Sequence, residues 1–105
     1  EKDLIISGGY NVYPKEVEDV LNELDQIEET AVFGVPDSDL GELVVAAVVL
    51  ADTEKLNKGQ TEHFVNKKLA RYKQPKEYIT LKRLPRNSMG KVQKNELRKM
   101  FSSQD

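Results

Sequence analysis

The chain has 105 residues, 38% hydrophobic and 32% charged, with one histidine and no cysteine. This is the balance of one small folded domain with a modest core; it excludes a disordered chain, a disulfide framework and a thiolate metal site, and one histidine cannot by itself build a zinc centre or a triad. Net charge is −2, but residues 1–50 hold 12 acidic and 2 basic side chains (−10), and residues 51–105 hold 6 and 14 (+8).

Two β-prone runs, residues 3–7 and 10–13, flank Gly8-Gly9 and predict a hairpin, because glycine accepts the positive φ of a tight turn. Pro14 suits a first helical position, and Glu16, Glu18 and Asp19 suit a helix N-terminus. Val17, Val20, Leu21 and Leu24 form one apolar stripe, so a helix is predicted over residues 14–25 with its acids in solvent. A strand follows over residues 29–35, stopped by Pro36. LVVAAVVLA over residues 43–51 is too short to span a bilayer and reads as a central strand buried on both faces. Asn57 and Gln60 read as an N-cap pair for a helix over residues 59–71, with Phe64, Val65 and Leu69 inward and His63 on the surface. A strand near residues 77–81 and a helix near 94–101, packed through Leu97, Met100 and Phe101, complete the order ββαββαβα. The fold class expected is α+β, a small mixed sheet with packed helices and an N-terminal β-hairpin.

PRNSMGKVQKNELR, residues 85–98, places Lys91 after a glycine on a proline-bounded loop before a helix. The phosphate loop of nucleotide hydrolases fails here, because Pro85 stands where its first glycine is needed and Val92 where Ser or Thr is needed. Lys91 is therefore a single cation that a loop can aim. Gly8 and Gly9 also allow a ligand to run close along the backbone. The charge split has two readings: the halves neutralise each other, or the basic half faces phosphate, including a non-catalytic phosphate- or nucleic-acid-binding module.

KDLIISGGYNVYPKEVEDVL, AVFGVPDSDLGELVVAAVVL and LARYKQPKEYITLKRLPRNSMGKVQKNELRKMF, in that order, resemble the C-terminal domain of the adenylate-forming acyl-CoA synthetases. The likeness runs from Lys2 to Phe101, and SGGYNVYPKEVE with PRNSMGKVQKNELR is especially similar to malonyl-CoA synthetases. It implies a two-step acid–thiol ligase that uses ATP, releases AMP and acylates coenzyme A. Malonate is the favoured acid; medium- and long-chain fatty acids are the alternative. It implies that residues 1–105 are one mobile lid domain of a larger cytoplasmic enzyme, excised from it and inactive alone. A larger N-terminal domain would supply the ATP cleft, magnesium and the acyl pocket; this domain would hold no metal, span no membrane and bind no nucleic acid.

By the same resemblance, Lys91 matches the lysine of the adenylation step, bridging carboxylate and α-phosphate oxygens. Lys2 matches the hinge. Gly8 and Gly9 match the hairpin lining the pantetheine tunnel in the second step, and Asn11 a polar position near phosphate or thiol there. Ile6 departs from relatives with a lysine at its position, so no AMP contact is assigned to it. The sequence permits Tyr72, Lys73 and the basic helix to meet coenzyme A phosphates, with a solvated helix face as the alternative reading.

Overall fold

The computed structural model describes residues 3–52 and 55–102. Strands β1 (Ile5–Ser7) and β2 (Tyr10–Val12) form an antiparallel hairpin with Ile5 opposite Val12 and Ser7 opposite Tyr10. Helix α1 (Pro14–Leu21) leads to β3 (Ile27–Asp37), β4 (Gly41–Leu50), α2 (Lys58–Lys68), a 3₁₀ turn (Arg71–Lys73), β5 (Glu77–Thr80) and α3 (Lys94–Ser102). The second sheet has the order β3-β4-β5, with β3 and β4 antiparallel and β4 and β5 parallel. A parallel pair needs a long crossover, and α2 supplies it. The predicted ββαββαβα order and the mixed α+β class are both found.

β4 is central, and its side chains divide by parity. Val44, Ala46 and Val48 join Ile5, Val12, Val17, Leu21, Val32 and Val65 beneath the hairpin, α1 and α2. Val45, Ala47 and Val49 join Phe33, Val35, Ile79, Leu84 and Leu97 beneath α3. This two-faced burial is why the run is apolar without alternation. A bulge between Ile27 and Glu29 shifts the phase of β3. Ile27 thereby reaches the first core, although Ala31 and Phe33, of the same parity, lie in the second.

Pro36 does not stop β3, which runs to Asp37. β3 is an edge strand, and Val32, Gly34 and Pro36 share the phase that points away from β4. The Val32 N–H goes to Glu18 Oε2 (2.9 Å) and the Gly34 carbonyl accepts from Arg98 Nε (2.8 Å). An imide without N–H costs nothing on that side, and the three devices together block edge pairing.

The remaining differences are local. α1 ends at Leu21, not residue 25, because the chain tightens into i→i+3 bonds: Glu23 N–H to the Val20 carbonyl and Leu24 N–H to the Leu21 carbonyl. Asn57 Oδ1 accepts the Gln60 N–H (3.0 Å), as the cap pattern predicts, but α2 ends at Lys68 and Leu69 is extended. His63 is exposed. Phe64 is half-buried, with the Lys68 ammonium 5.5 Å from its ring centre. Leu97 is buried and Phe101 packs against its cluster, whereas Met100 remains 39% exposed. Among the described residues, no helix is long and apolar enough to cross a membrane.

Candidate functional site

Lys91 stands on a second small hairpin, closed by an antiparallel bridge between Arg86 and Val92. Asn87 organises its tip. The backbone N–H of Asn87 donates to the Lys91 carbonyl (3.0 Å), and its carbonyl accepts the Gly90 N–H (2.9 Å). Its side-chain Oδ1 accepts the N–H groups of Met89 (3.0 Å) and Lys91 (2.9 Å). Gly90 has φ +85°, so a reverse turn is followed by a left-handed glycine, as in three-residue hairpin loops. Arg86 Nη1 donates to the Gly90 carbonyl (2.7 Å), and Gln93 Nε2 to the Lys91 carbonyl (2.9 Å).

The backbone around Lys91 is therefore held at many points, and the loop is a fixed mount, stiffer than its proline and glycine suggest. The side chain is different. Lys91 is exposed, and among the described residues its ammonium has no hydrogen-bond or ion-pair partner. It borders an open polar depression of about 350 Å³ with Asp3, Asn87, Gln93, Lys94, Asn95 and Arg98. Lys94 donates to Asp3 Oδ2 (3.0 Å) and Glu18 Oε2 (3.1 Å). The hydrogen bond from Lys94 holds the Asp3 carboxyl below its usual range.

The N-terminal hairpin is mounted separately. Gly8 and Gly9 have φ +60° and +85°, the two positive values of a type I′ turn. The Gly8 N–H donates to the Leu40 carbonyl (2.8 Å), and the Ile6 N–H to Glu42 Oε1 (2.8 Å). A Cβ on Gly34 would fall 2.7 Å from Glu42 Oε2 and 3.1 Å from Ile5, so glycine there is what lets the hairpin sit down on the sheet. Gly9 faces open space, and Asn11 is exposed opposite Ile6.

Beside this turn lies an open cavity of about 470 Å³ bordered by Ser7, Gly8, Tyr10, Arg71, Tyr72 and Lys76. Tyr10 and Tyr72 stack with centroids 4.8 Å apart. Lys73 lies 5.7 Å from the Tyr72 ring and binds Glu16 Oε2 (2.9 Å), a hydrogen bond that raises its pKa. The Tyr78 hydroxyl, on the β5 side of Arg71 and Lys76, is pushed up to about 12, mainly by burial.

The structure thus brings Gly8 to an aromatic and basic cavity, with Gly9 beside it in the turn, and Lys91 to a polar depression; the two lining sets share no residue. Lys2 lies outside the described residues. The acids of α1, expected in solvent, are partly engaged: Glu16 holds Lys73, and Glu18 holds Lys94 and the β3 edge. Sequence reasoning missed Asn87, although an Asn three residues before a glycine is an Asx-turn signal. It also missed the Asp3–Lys94–Glu18 cluster, which joins distant parts of the sequence and leaves no local pattern.

A lysine-bearing hairpin and a glycine hairpin on one small α+β fold define the class. The chain belongs to the AMP-binding enzyme C-terminal domain family, which matches residues 16–91. Its likeness to particular members is high. Apo MatB from Rhodopseudomonas palustris is 47% identical, with a TM-score of 0.91 over 95% of this chain and 20% of that one. This agrees with the similarity to malonyl-CoA synthetases seen in the motifs. A long-chain-fatty-acid–CoA ligase of Mycobacterium tuberculosis, FadD13, is 44% identical over 102 residues, 97% of this chain and 20% of that protein. A 2-succinylbenzoate–CoA ligase of Listeria monocytogenes is 40% identical over 100 residues, 95% of this chain and 21% of that one. The chain spans about a fifth of the length of these relatives.

Proposed function

We propose that residues 1–105 are the mobile C-terminal domain of an ATP-dependent, AMP-forming acid–thiol ligase. The observation that carries the reading is the Lys91 ammonium, unpartnered among the described residues and presented on a backbone fixed by Asn87. In the first step a substrate carboxylate oxygen bonds to the α-phosphorus of ATP and the bond to pyrophosphate breaks. Two anions must meet. Lys91, donating to oxygens of both, offsets their repulsion and holds them in line. The acid is already ionised near neutral pH, so no base is required. In the second step the sulfur of coenzyme A bonds to the acyl carbon and AMP leaves.

Separate mounting of the two hairpins supports their use in turn. Rotation at Lys2 would withdraw Lys91 and bring Gly8 and Gly9 to the pantetheine arm, with Asn11 near phosphate or thiol. Tyr72, Arg71, Lys73 and Lys76 give that side an aromatic and cationic surface suited to a nucleotide's base and phosphates.

Malonate is the favoured acid, and a fatty acid the alternative. By the family resemblance the magnesium, like the acyl pocket, is assigned to the N-terminal domain, and no step here runs through it. The isolated chain is proposed to be inactive, and the whole ligase cytoplasmic.

The test is Lys91→Ala in the whole ligase. Carboxylate-dependent ATP–pyrophosphate exchange should fall by roughly 10²- to 10³-fold, while thioester formation from supplied acyl-adenylate persists. Equal loss in both half-reactions refutes the role. Supplying malonate against a series of fatty acids decides the substrate.

A further inference from the structure

Lys94 plays no part in the chemistry above, yet it is the most constrained lysine near Lys91. It is the first residue of α3. A cation at a helix N-terminus opposes the macrodipole, and a residue placed against a local preference calls for a compensating gain. Here the compensation is two carboxylates: Nζ donates to Asp3 Oδ2 (3.0 Å) and Glu18 Oε2 (3.1 Å), with the side chain 14% exposed. Glu18 Oε2 also accepts the Val32 N–H (2.9 Å), tying the ammonium to the sheet edge.

The two ends of this cluster matter. Asp3 stands one residue after Lys2. Lys94 stands three residues after Lys91, and the residue between Val92 and Lys94 is itself anchored: the Gln93 N–H donates to the Pro85 carbonyl (2.8 Å) and its Nε2 to the Lys91 carbonyl (2.9 Å). Apolar replacement of partly buried ion pairs is often neutral for stability or better. What three charged groups supply here is geometry.

We infer that Lys94 is a positioning residue: by clasping Asp3 and Glu18 it fastens the segment that leaves the hinge to the base of the Lys91 hairpin, so that rotation at Lys2 carries Lys91 as one rigid arm. Lys94 touches no reacting atom and acts through Lys91, so the inference rests on the adenylation role proposed above. Its consequence is selective. A slack arm misplaces Lys91 in the first half-reaction, and a misplacement of about 1 Å costs on the order of 10²-fold. The second half-reaction does not use Lys91.

The experiment uses the whole ligase, with the two half-reactions measured separately. Lys94→Met keeps the aliphatic stem and removes the charge. It should lower kcat for ATP–pyrophosphate exchange by about 10- to 100-fold, with KM for ATP and thioester formation from supplied acyl-adenylate within about threefold of the parent. Lys94→Arg, able to hold two carboxylates, should recover most of the exchange rate. Equal loss in both half-reactions, or full exchange by Lys94→Met, overturns the inference. If Lys94→Met fails to fold, Asp3→Asn removes just the hinge-side anion and should give a smaller loss of the same selectivity; unchanged exchange there also overturns it. Lys91→Ala in parallel separates the two ideas. If that variant keeps exchange, the adenylation role has failed and the positioning role with it. If it loses exchange while Lys94→Met does not, only the positioning role has failed.

Discussion

Asn87→Ala isolates the mount of Lys91 from Lys91 itself. The substitution removes the two hydrogen bonds accepted by Oδ1, at 3.0 and 2.9 Å, and leaves the two made by the Asn87 backbone. Each contributes about 0.5–1.5 kcal/mol net. The loop is exposed, so water takes up the freed N–H groups and no buried-donor penalty is added. The pair should therefore favour the closed hairpin by about 1–2 kcal/mol. Its opening equilibrium then rises by roughly 5- to 30-fold on substitution. Amide hydrogen exchange reads this directly: the Met89 and Lys91 amides should exchange faster by that factor, while the Val48 amide in the central strand keeps its protection. Adenylation by the whole ligase should fall, by less than in Lys91→Ala. Asn87→Asp keeps an acceptor oxygen and should restore protection. Unchanged exchange at Met89 and Lys91 would show that Gly90 and the backbone bonds set the turn alone. Acceleration spread equally to Val48 would show a global loss of stability and would refute the local account.

Two further outcomes follow from the hinge side of the domain. Gly9 has φ +85° with open space around its Cβ direction, so any steric effect of a side chain there must come from what docks against it. Gly9→Asn, which tolerates positive φ, should fold nearly as well as the parent; Gly9→Leu should lose about 1–2 kcal/mol of stability. Both should slow thioester formation in the whole ligase and spare ATP–pyrophosphate exchange; unchanged coenzyme A kinetics in Gly9→Asn would remove the tunnel assignment. Asp3, lowered below its ordinary 3.8 chiefly by the hydrogen bond from Lys94, contributes stability that is complete above that value and lost as pH falls through its folded-state pKa. Asp3→Asn should flatten the melting-temperature profile below about pH 4, and parallel profiles would show that the carboxylate is not held in the folded state.

What could be read from the sequence depended on the range of the interaction. β4 was legible because burial on both faces writes a continuous apolar run. The Gly8-Gly9 turn and the Asn57 cap were legible because their causes lie within a few residues. Pro36 was misread for a tertiary reason: its strand is an edge, and which edge is open is set by β4, α1 and α3. The ends of α1 and α2 were overrun because apolar positions continue past them: Leu24 is half-buried in a 3₁₀-type turn, and Leu69 is buried although its backbone is extended. Lys91 was found through motif resemblance, but its mount was not. The same local device occurs earlier: Asp37 Oδ2 accepts the Asp39 and Leu40 N–H groups (3.1 and 2.9 Å) ahead of Gly41 at φ +84°. An Asx residue with a left-handed glycine three or four positions on shapes both loops, so the pattern was present twice in the sequence without being used.

The charge split between the halves closes in part on itself. Glu16 binds Lys73 (2.9 Å), Glu23 binds Lys68 (3.4 Å), Glu29 binds Arg86, and Asp3 and Glu18 share Lys94. Each of these pairs joins an acid of the first half to a base of the second, whereas Lys15–Asp19 and Lys99–Glu96 pair within one half. Most are partly exposed, and each such pair adds about 0–1 kcal/mol, so their main effect is placement. They also interrupt the unpaired cationic surface that phosphate-backbone binding uses, which favours the ligase reading over a nucleic-acid module. Two lysines three residues apart then fall on opposite sides of one distinction. Lys94 is bound by two carboxylates and held. Lys91 turns its ammonium to solvent, with no partner among the described residues, and an ionic contact there strengthens when water is excluded around it. Composition counts both as basic residues of one loop and helix. Only the fold separates a lysine bound by two carboxylates from one left open to solvent.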